Sequence, residues 1–444
     1  MTRADAWTRL LPGGLRSRIE GSALLRQVLP NTGWLAGDRL VRMILSVLVG
    51  AWVARYLGPA DYGALSFALA WVALFMGFGA LAHERIVVRE LVEHPEREPE
   101  TLGSATALRF AGGLVAIAAA IVGVWMLRPG DHEALVLVAI AAGAMVQPFA
   151  MIELWYQARV RARQVAPAMI VAALLSAGLK VALILARAPL VAFAWAFLAE
   201  GLITGVLVAL VYETREHGLA TWRTRMATCR ALLRDSWPLV LSGAMILVYM
   251  RIDQVMLRQM ASPAELGAYA AAVKLVEGWY FLPTAVVASL FPSIVQARQQ
   301  DDALFLARLQ KLYGLMAAAA YAVAIPTTLL APWIVRVLYG PGYAAAAPML
   351  AVLVWSLVFT NLGIARGAFL TSMNWTRPYL MTVALGGAVN VALNLVLIPR
   401  WGGMGAVVAT LIAYGVATLG SCFAYRPLFR TGRMLARAML FPRF

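Results

Sequence analysis

Two cysteines and four histidines are all that this 444-residue chain offers to sulfur or imidazole chemistry. Cys229 falls in a polar segment and Cys422 in an apolar one, so no disulfide is expected, and the scattered histidines have no metal-ligand spacing. Lysine is nearly as scarce. Lys180, Lys274 and Lys311 are the only three, and none follows the glycine spacing of a phosphate-cradling loop, which excludes ATP hydrolysis by that route. Charge as a whole is thin, at 14% of residues, against about 25% in soluble domains. Long polar segments are absent between most apolar runs, which leaves little exposed chain for a membrane-bound sugar polymerase or ligase to work with.

Apolar sequence fills the space instead, at 62% of residues. Runs of twenty or more such residues recur, each long enough for about 30 Å of hydrocarbon. The fold class is therefore all-α: a polytopic membrane protein with about twelve transmembrane helices. The expected spans are 33–57, 63–82, 103–127, 134–157, 165–186, 190–212, 237–257, 266–295, 312–335, 345–370, 378–399 and 402–425. Prolines fall inside several of them: Pro148, Pro167, Pro238, Pro283, Pro292, Pro326 and Pro348. They serve either as static kinks or as bending points.

The formal net charge of +16 invites a nucleic-acid reading, but position argues against one. With residues 1–32 inside and sides alternating, the inner segments hold 25 of the 38 Lys+Arg and the outer loops hold five. That asymmetry sets both termini in the cytoplasm, and the basic excess meets anionic lipid rather than nucleic acid. Residues 15–29 carry apolar side chains among arginines and read either as a helix lying on the inner membrane surface or as a disordered basic arm.

The longest polar segment, 213–236, divides the chain six spans from six. Its organisation is then a cytoplasmic arm (1–32), a first lobe (33–212), a linker (213–236), a second lobe (237–425) and a cytoplasmic basic tail (426–444). The phrase "PADYGA" from Pro59 returns as "PAELGA" from Pro263, 204 residues on and at the same place in each half. This predicts duplicated lobes around a central cavity, related by an axis along the membrane normal, with the substrate site between them.

Thirteen ionisable residues fall within the spans, where each is costly unless it faces an interior or water. Arg55 and Glu153 lie near span ends and read as snorkelling groups. Asp38 and Arg42, four apart, share a face, which leaves Arg39 about 100° away. Arg251, Asp253, Lys274 and Glu277 fall at similar depth on adjacent antiparallel spans and read either as a polar site or as a closed salt-bridge network. Glu200 lies near mid-membrane with Lys180 as its nearest candidate partner, and Arg366 lies toward the inner end of its span. Asn390 and Asn394 share a helix face and suit either sugar hydroxyls or helix cross-linking. Trp155/Tyr156 read as interfacial belt residues; Trp279/Tyr280 could stack on sugar rings or serve as belt. The span charges sum to a positive surplus. That favours an anion joined to something lipidic, because guanidinium forks bind phosphate oxygens in pairs. A carrier of cationic drugs would want the reverse.

The phrases "ARYLGPADYGALSFALAW", "PFAMIELWYQA" and "NVALNLVLIPRWGGMGAVVAT" resemble the polysaccharide transport branch of the multidrug/oligosaccharidyl-lipid/polysaccharide exporter superfamily, and within it the O-antigen (Wzx-type) repeat-unit flippases. The family tends to continue Gln-Gly-x-Glu after the position of Trp155; here Gln157 matches, whereas Ala158 and Val160 depart. The resemblance implies a non-enzymatic flippase in a bacterial inner membrane. It would carry undecaprenyl-diphosphate-linked oligosaccharide outward by alternating access for O-antigen or exopolysaccharide assembly. It needs no cofactor beyond a proton or sodium gradient. Its partners are the lipid-linked substrate, membrane lipids and the polysaccharide polymerase and chain-length machinery. On this reading Arg39, Arg42, Arg251, Lys274, Arg366, Asn390 and Asn394 bind the diphosphate and sugar, and Asp253, Glu277 and Glu200 couple the ion. The alternatives are a cation-coupled multidrug exporter of the same superfamily, a membrane sugar polymerase or ligase, and a lipid II flippase, which usually has additional spans.

Overall fold

The computed structural model describes residues 23–143, 149–216, 218–298, 301–373 and 375–441, without the side chains of 23–36, 38, 39, 292 and 376. Residues 15–22 of the expected surface helix and Pro148 lie outside the described residues. Every regular element among the described residues is helical. Nine helical stretches there are long and apolar enough to cross a bilayer, and His132–Gly143 is a shorter apolar helix.

The first and last of the nine are too long for one crossing. Helix α1, Ala23–Gly79, bends at Gly58, whose φ of 77° suits a residue without Cβ, and Pro59 follows. Helix α14, Thr376–Gly415, bends in the same way at Gly402, with φ of 53°. Twelve crossings are reached if each bent helix crosses twice and the fourth expected span is built from α4, His132–Gly143, and α5, Ala150–Ala158.

Between them run α2 (Glu84–Glu93), α3 (Glu98–Leu127), α6 (Ala162–Leu185), α7 (Leu190–Arg215), α8 (Met226–Met260), α9 (Pro263–Glu277), α10 (Phe281–Arg298), α11 (Asp302–Leu338), α12 (Ala346–Leu353) and α13 (Ser356–Ser372). The over-long expected span 266–295 is broken between α9 and α10, and 345–370 between α12 and α13. Pro283 and Pro348 sit in the first turns of α10 and α12, where a backbone donor would lack an intrahelical partner in any case. They mark helix starts rather than mid-helix kinks. Beyond α14 the chain passes through a π-helical turn, Val416–Gly420, into α15 (Ser421–Ala424) and the amphipathic α16 (Phe429–Leu440).

Helix α1 joins the two halves of the chain. It packs on α3, α4 and α6 of its own half and on α8 and α9 of the other. The duplicated phrases meet where α1 touches α9. A Cβ on Gly63 would lie 2.1 Å from the Pro263 carbonyl oxygen, and one on Gly267 would lie 1.9 Å from that of Pro59. The contact is reciprocal: each motif's glycine receives the other motif's proline carbonyl. No side chain fits between them, so both positions must be glycine for the backbones to approach this closely.

Candidate functional site

A cavity of about 280 Å³ lies between the halves, walled by α1, α6 and α7 on one side and by α8 and α9 on the other. Four cations line it, Arg42, Lys180, Arg251 and Lys274, against two carboxylates, Glu200 and Glu277. Lys180 Nζ stands 2.5 Å from Glu200 Oε2 and 4.2 Å from the centre of the Phe197 ring. This is the pair the sequence suggested. Arg251 grips Glu277 with both ends of its fork, Nη1 to Oε1 at 3.0 Å and Nη2 to Oε2 at 3.1 Å. Lys274, three residues before Glu277 on the same face of α9, is therefore not its bonded partner.

Lys274 makes no hydrogen bond or ion pair with the described residues. Its stem runs beside Gly50 of α1, where a Cβ would lie 3.8 Å from the lysine Cε. Ser176 adds a buried hydroxyl that has no hydrogen-bond partner among the described residues and lines the same cavity. Sequence reasoning passed over it, although it stands four residues before Lys180 and so shares that face of α6. Tyr62 and Gln254, also in the lining, had no charge signal to find them by.

Other expected site residues lie elsewhere. The Arg39 side chain is outside the described residues. Arg366 is only 2% exposed and buried within the second half. It donates to the Thr418 carbonyl at 2.9 Å, Ser421 Oγ at 3.1 Å and Thr382 Oγ1 at 2.9 Å. The π-turn leaves carbonyls out of the regular ladder, and this guanidinium takes up one of them. A diphosphate near the inner mouth would not reach it. Asn390 and Asn394 are fully buried and, instead of facing the cavity, tie the two arms of bent α14 together: Asn394 Nδ2 donates to Asn390 Oδ1 at 3.0 Å, and Asn390 Nδ2 reaches Thr410 Oγ1 beyond the Gly402 bend at 3.4 Å. Their chain ends on Asp253, which accepts from the Tyr269 hydroxyl and, at 2.7 Å, from the Gln254 amide. Asp253 thus sits behind the cavity wall. Trp155 and Tyr156 are buried in a cluster of edge-on rings with Tyr212 and are not belt residues. Trp279 is exposed toward an apolar crevice on the opposite side of α9 from the cavity.

The end of the bundle that the charge count assigns to the outside is closed. Besides the glycine contacts, the Tyr343 hydroxyl donates to the Ala54 carbonyl at 2.7 Å. Arg128 bonds Asp131 at 2.8 Å and the Arg258 carbonyl at 3.0 Å, and Arg258 approaches Asp131 at 3.5 Å, so a loop of the first half clasps α8 of the second. Partial burial pushes the Asp131 carboxyl up, but the Ala134 amide and the two arginines outweigh it and hold it below its ordinary range. A depressed carboxylate stabilises the clasped state above its unclasped pKa, and that contribution disappears as pH falls through the depressed value. Acidifying the outer side below the carboxylate range is therefore expected to raise labelling of a cavity cysteine by an outside, membrane-impermeant thiol reagent. Asp131→Asn should give the raised rate at neutral pH and remove the pH dependence.

The comparisons agree with this architecture. The model of the family described as "Polysaccharide biosynthesis protein" matches residues 28–298. A curated relative, "Probable flippase AglR" of Haloferax volcanii, is 25% identical over 261 residues, covering 57% of this chain and 52% of the relative. The chain thus matches about half the length of that protein. Among solved structures, one titled "Lipid II flippase MurJ, inward closed conformation" aligns over 93% of this chain and 91% of its own, with a TM-score of 0.69 at 12% identity. An inward-facing multidrug resistance MATE family transporter of the MOP superfamily aligns over 89% of this chain and 99% of its own, at a TM-score of 0.63 and 16% identity. At such identities the likeness is one of fold.

Proposed function

The chain belongs to the polysaccharide biosynthesis protein family, and from that premise we propose that it is a flippase carrying undecaprenyl-diphosphate-linked oligosaccharide repeat units outward across a bacterial inner membrane. The observation that carries this reading is the cation surplus of a cavity between the halves, with Lys274 making no ion pair among the described residues. A diphosphate entering from the cytoplasmic side would pass Arg42, meet the Lys274 ammonium, and exchange with Glu277 for the Arg251 fork, which matches phosphate oxygens in pairs. Ser176 would supply a hydroxyl donor.

The lipid chain needs a separate, dry path. An apolar crevice of about 290 Å³, with Ile44, Val47 and Leu48 of α1 on one side and Leu275 and Trp279 of the α9 end on the other, suits polyprenyl. Helices α1 and α9 divide it from the charged cavity, so one substrate could place its head on one side and its tail on the other. Rocking of two six-helix lobes would expose the cavity to each side in turn. The Asp253 chain, with Glu277 and Glu200, would take up a proton or sodium to reset the cycle. The cytoplasmic termini, the O-antigen or exopolysaccharide pathway and cooperation with polymerase and chain-length machinery belong to the same reading. A carrier of cationic drugs would need the opposite cavity polarity.

Purified protein in proteoliposomes is expected to move a lipid-linked oligosaccharide from the loaded leaflet to the other, scored by lectin capture or periodate oxidation there. Transfer no faster than in protein-free vesicles, alongside uptake of cationic dyes, would reject the flippase in favour of a drug exporter.

A further inference from the structure

The amphipathic α16 does not trail away from the bundle. Gln310 Nε2 of α11 donates to the Met434 carbonyl at 3.1 Å, and the Tyr321 hydroxyl donates to that of Met439 at 2.9 Å. Leu435 and Ala438 are buried against the bundle. Between α11 and α16 remains a groove of about 440 Å³. Lys311, Arg430 and Arg437 line it together with Leu306, Met434 and Phe441, and its lining includes no carboxylate. None of the three cations forms an ion pair or hydrogen bond with the described residues. Arg433, one turn along α16, is different: it stacks on Phe429 at 4.8 Å and does not line the groove. Phe429, Leu440 and Phe441 are exposed beside these arginines. Charged and apolar residues thus alternate along an element lying at the basic end of the bundle, as in helices that rest at a bilayer surface.

We propose that this groove is a binding site for an anionic phospholipid of the inner leaflet, with its phosphate held by Lys311, Arg430 and Arg437 and an acyl chain lying on Leu306, Met434 and Phe441. The occupant follows from the lining. Three uncompensated cations call for an anion, and an apolar wall adjoining them calls for one that carries hydrocarbon. Soluble phosphate would leave that wall wet. The transported lipid has its own chamber, and groove and central cavity share no lining residue. A lipid bound here would bridge α11 and α16, fastening the tail helix to the bundle through the membrane itself.

Each cation near an anionic surface contributes about a fivefold preference, so three contribute on the order of a hundredfold. The test uses the full chain in nanodiscs of phosphatidylglycerol and phosphatidylcholine, extracted for native mass spectrometry. Wild type should retain phosphatidylglycerol over phosphatidylcholine. K311Q/R430Q/R437Q should lose that preference, and R433Q should keep it. K311Q alone, which leaves α16 untouched, should reduce it about fivefold and serves if the triple variant does not fold. Equal retention of both lipids by wild type, or unchanged preference in K311Q, overturns the proposal. So does displacement of phosphatidylglycerol by millimolar inorganic phosphate, which would mark a soluble-anion site. Selective retention of added undecaprenyl phosphate in its place also overturns it and would mark a substrate-loading site.

Discussion

Lys274→Ala is expected to reduce transfer of lipid-linked oligosaccharide by roughly two orders of magnitude while leaving the protein folded in the membrane. Losing one charged contact to a desolvated anion costs about 2–5 kcal/mol, and each 1.4 kcal/mol is a factor of ten. Lys274 is the cleanest of the four cavity cations to remove. Arg251→Ala would also strand Glu277, and Lys180→Ala would strand Glu200, because each is an established pair. Either would mix loss of substrate binding with the cost of a carboxylate left without its partner. Lys274→Arg should retain part of the activity, since the charge stays and only its shape changes. The readout is export of surface polysaccharide in a strain lacking the chromosomal copy, with membrane protein level as the control. Full export from Lys274→Ala at normal protein level would remove the cavity from the transport path.

Gly63→Val is expected to abolish transport for a different reason, by holding the outer end apart. Its Cβ would lie 2.1 Å from the Pro263 carbonyl oxygen, and that oxygen belongs to backbone that cannot swing away as a side-chain tip could. Because the contact is reciprocal, Gly267→Val should behave alike, whereas Gly178→Ala, with nothing within 4 Å of its Cβ, should be silent. Both native cysteines are buried. They can be replaced by alanine, and a single cysteine placed at Ser66 in the cavity lining. An impermeant maleimide added from outside should label that cysteine at least tenfold faster in Gly63→Val than in its parent. Unchanged labelling together with normal export would mean that the two motifs need not meet during the cycle.

Much of this was legible in the chain. The repeat of Pro59–Ala64 at Pro263–Ala268 pointed to related halves, and the two phrases prove to pack directly against each other. Apolar run length marked an all-helical membrane chain, and depth counting put Arg251, Asp253, Lys274 and Glu277 at one level, of which the cavity gathers all but Asp253. Depth is only one coordinate, however. Arg366 has a plausible depth but points into the second half, toward carbonyls exposed by a π-turn that no sequence period announces. Asn390 and Asn394 were correctly assigned to one face, but whether that face meets the cavity or a neighbouring helix depends on rotation about the helix axis, which tertiary packing sets. Trp155 and Tyr156 were misassigned to the lipid interface because an aromatic pair near a span end looks the same whether it meets lipid or a cluster with Tyr212 and Trp222. Ser176 was overlooked for want of charge.

Under the proposed function, the paired carboxylates of the cavity would make it a filter for valence. Chloride or another monovalent anion would find the Lys274 ammonium, while Lys180 and Arg251 are held at 2.5 and 3.0 Å by Glu200 and Glu277. A polyanion with several oxygens in a row can satisfy the ammonium and still compete for a guanidinium, so its advantage grows faster than its charge. An empty chamber would then idle amid cellular salt without passing it, and would respond only to a head group bearing consecutive phosphates.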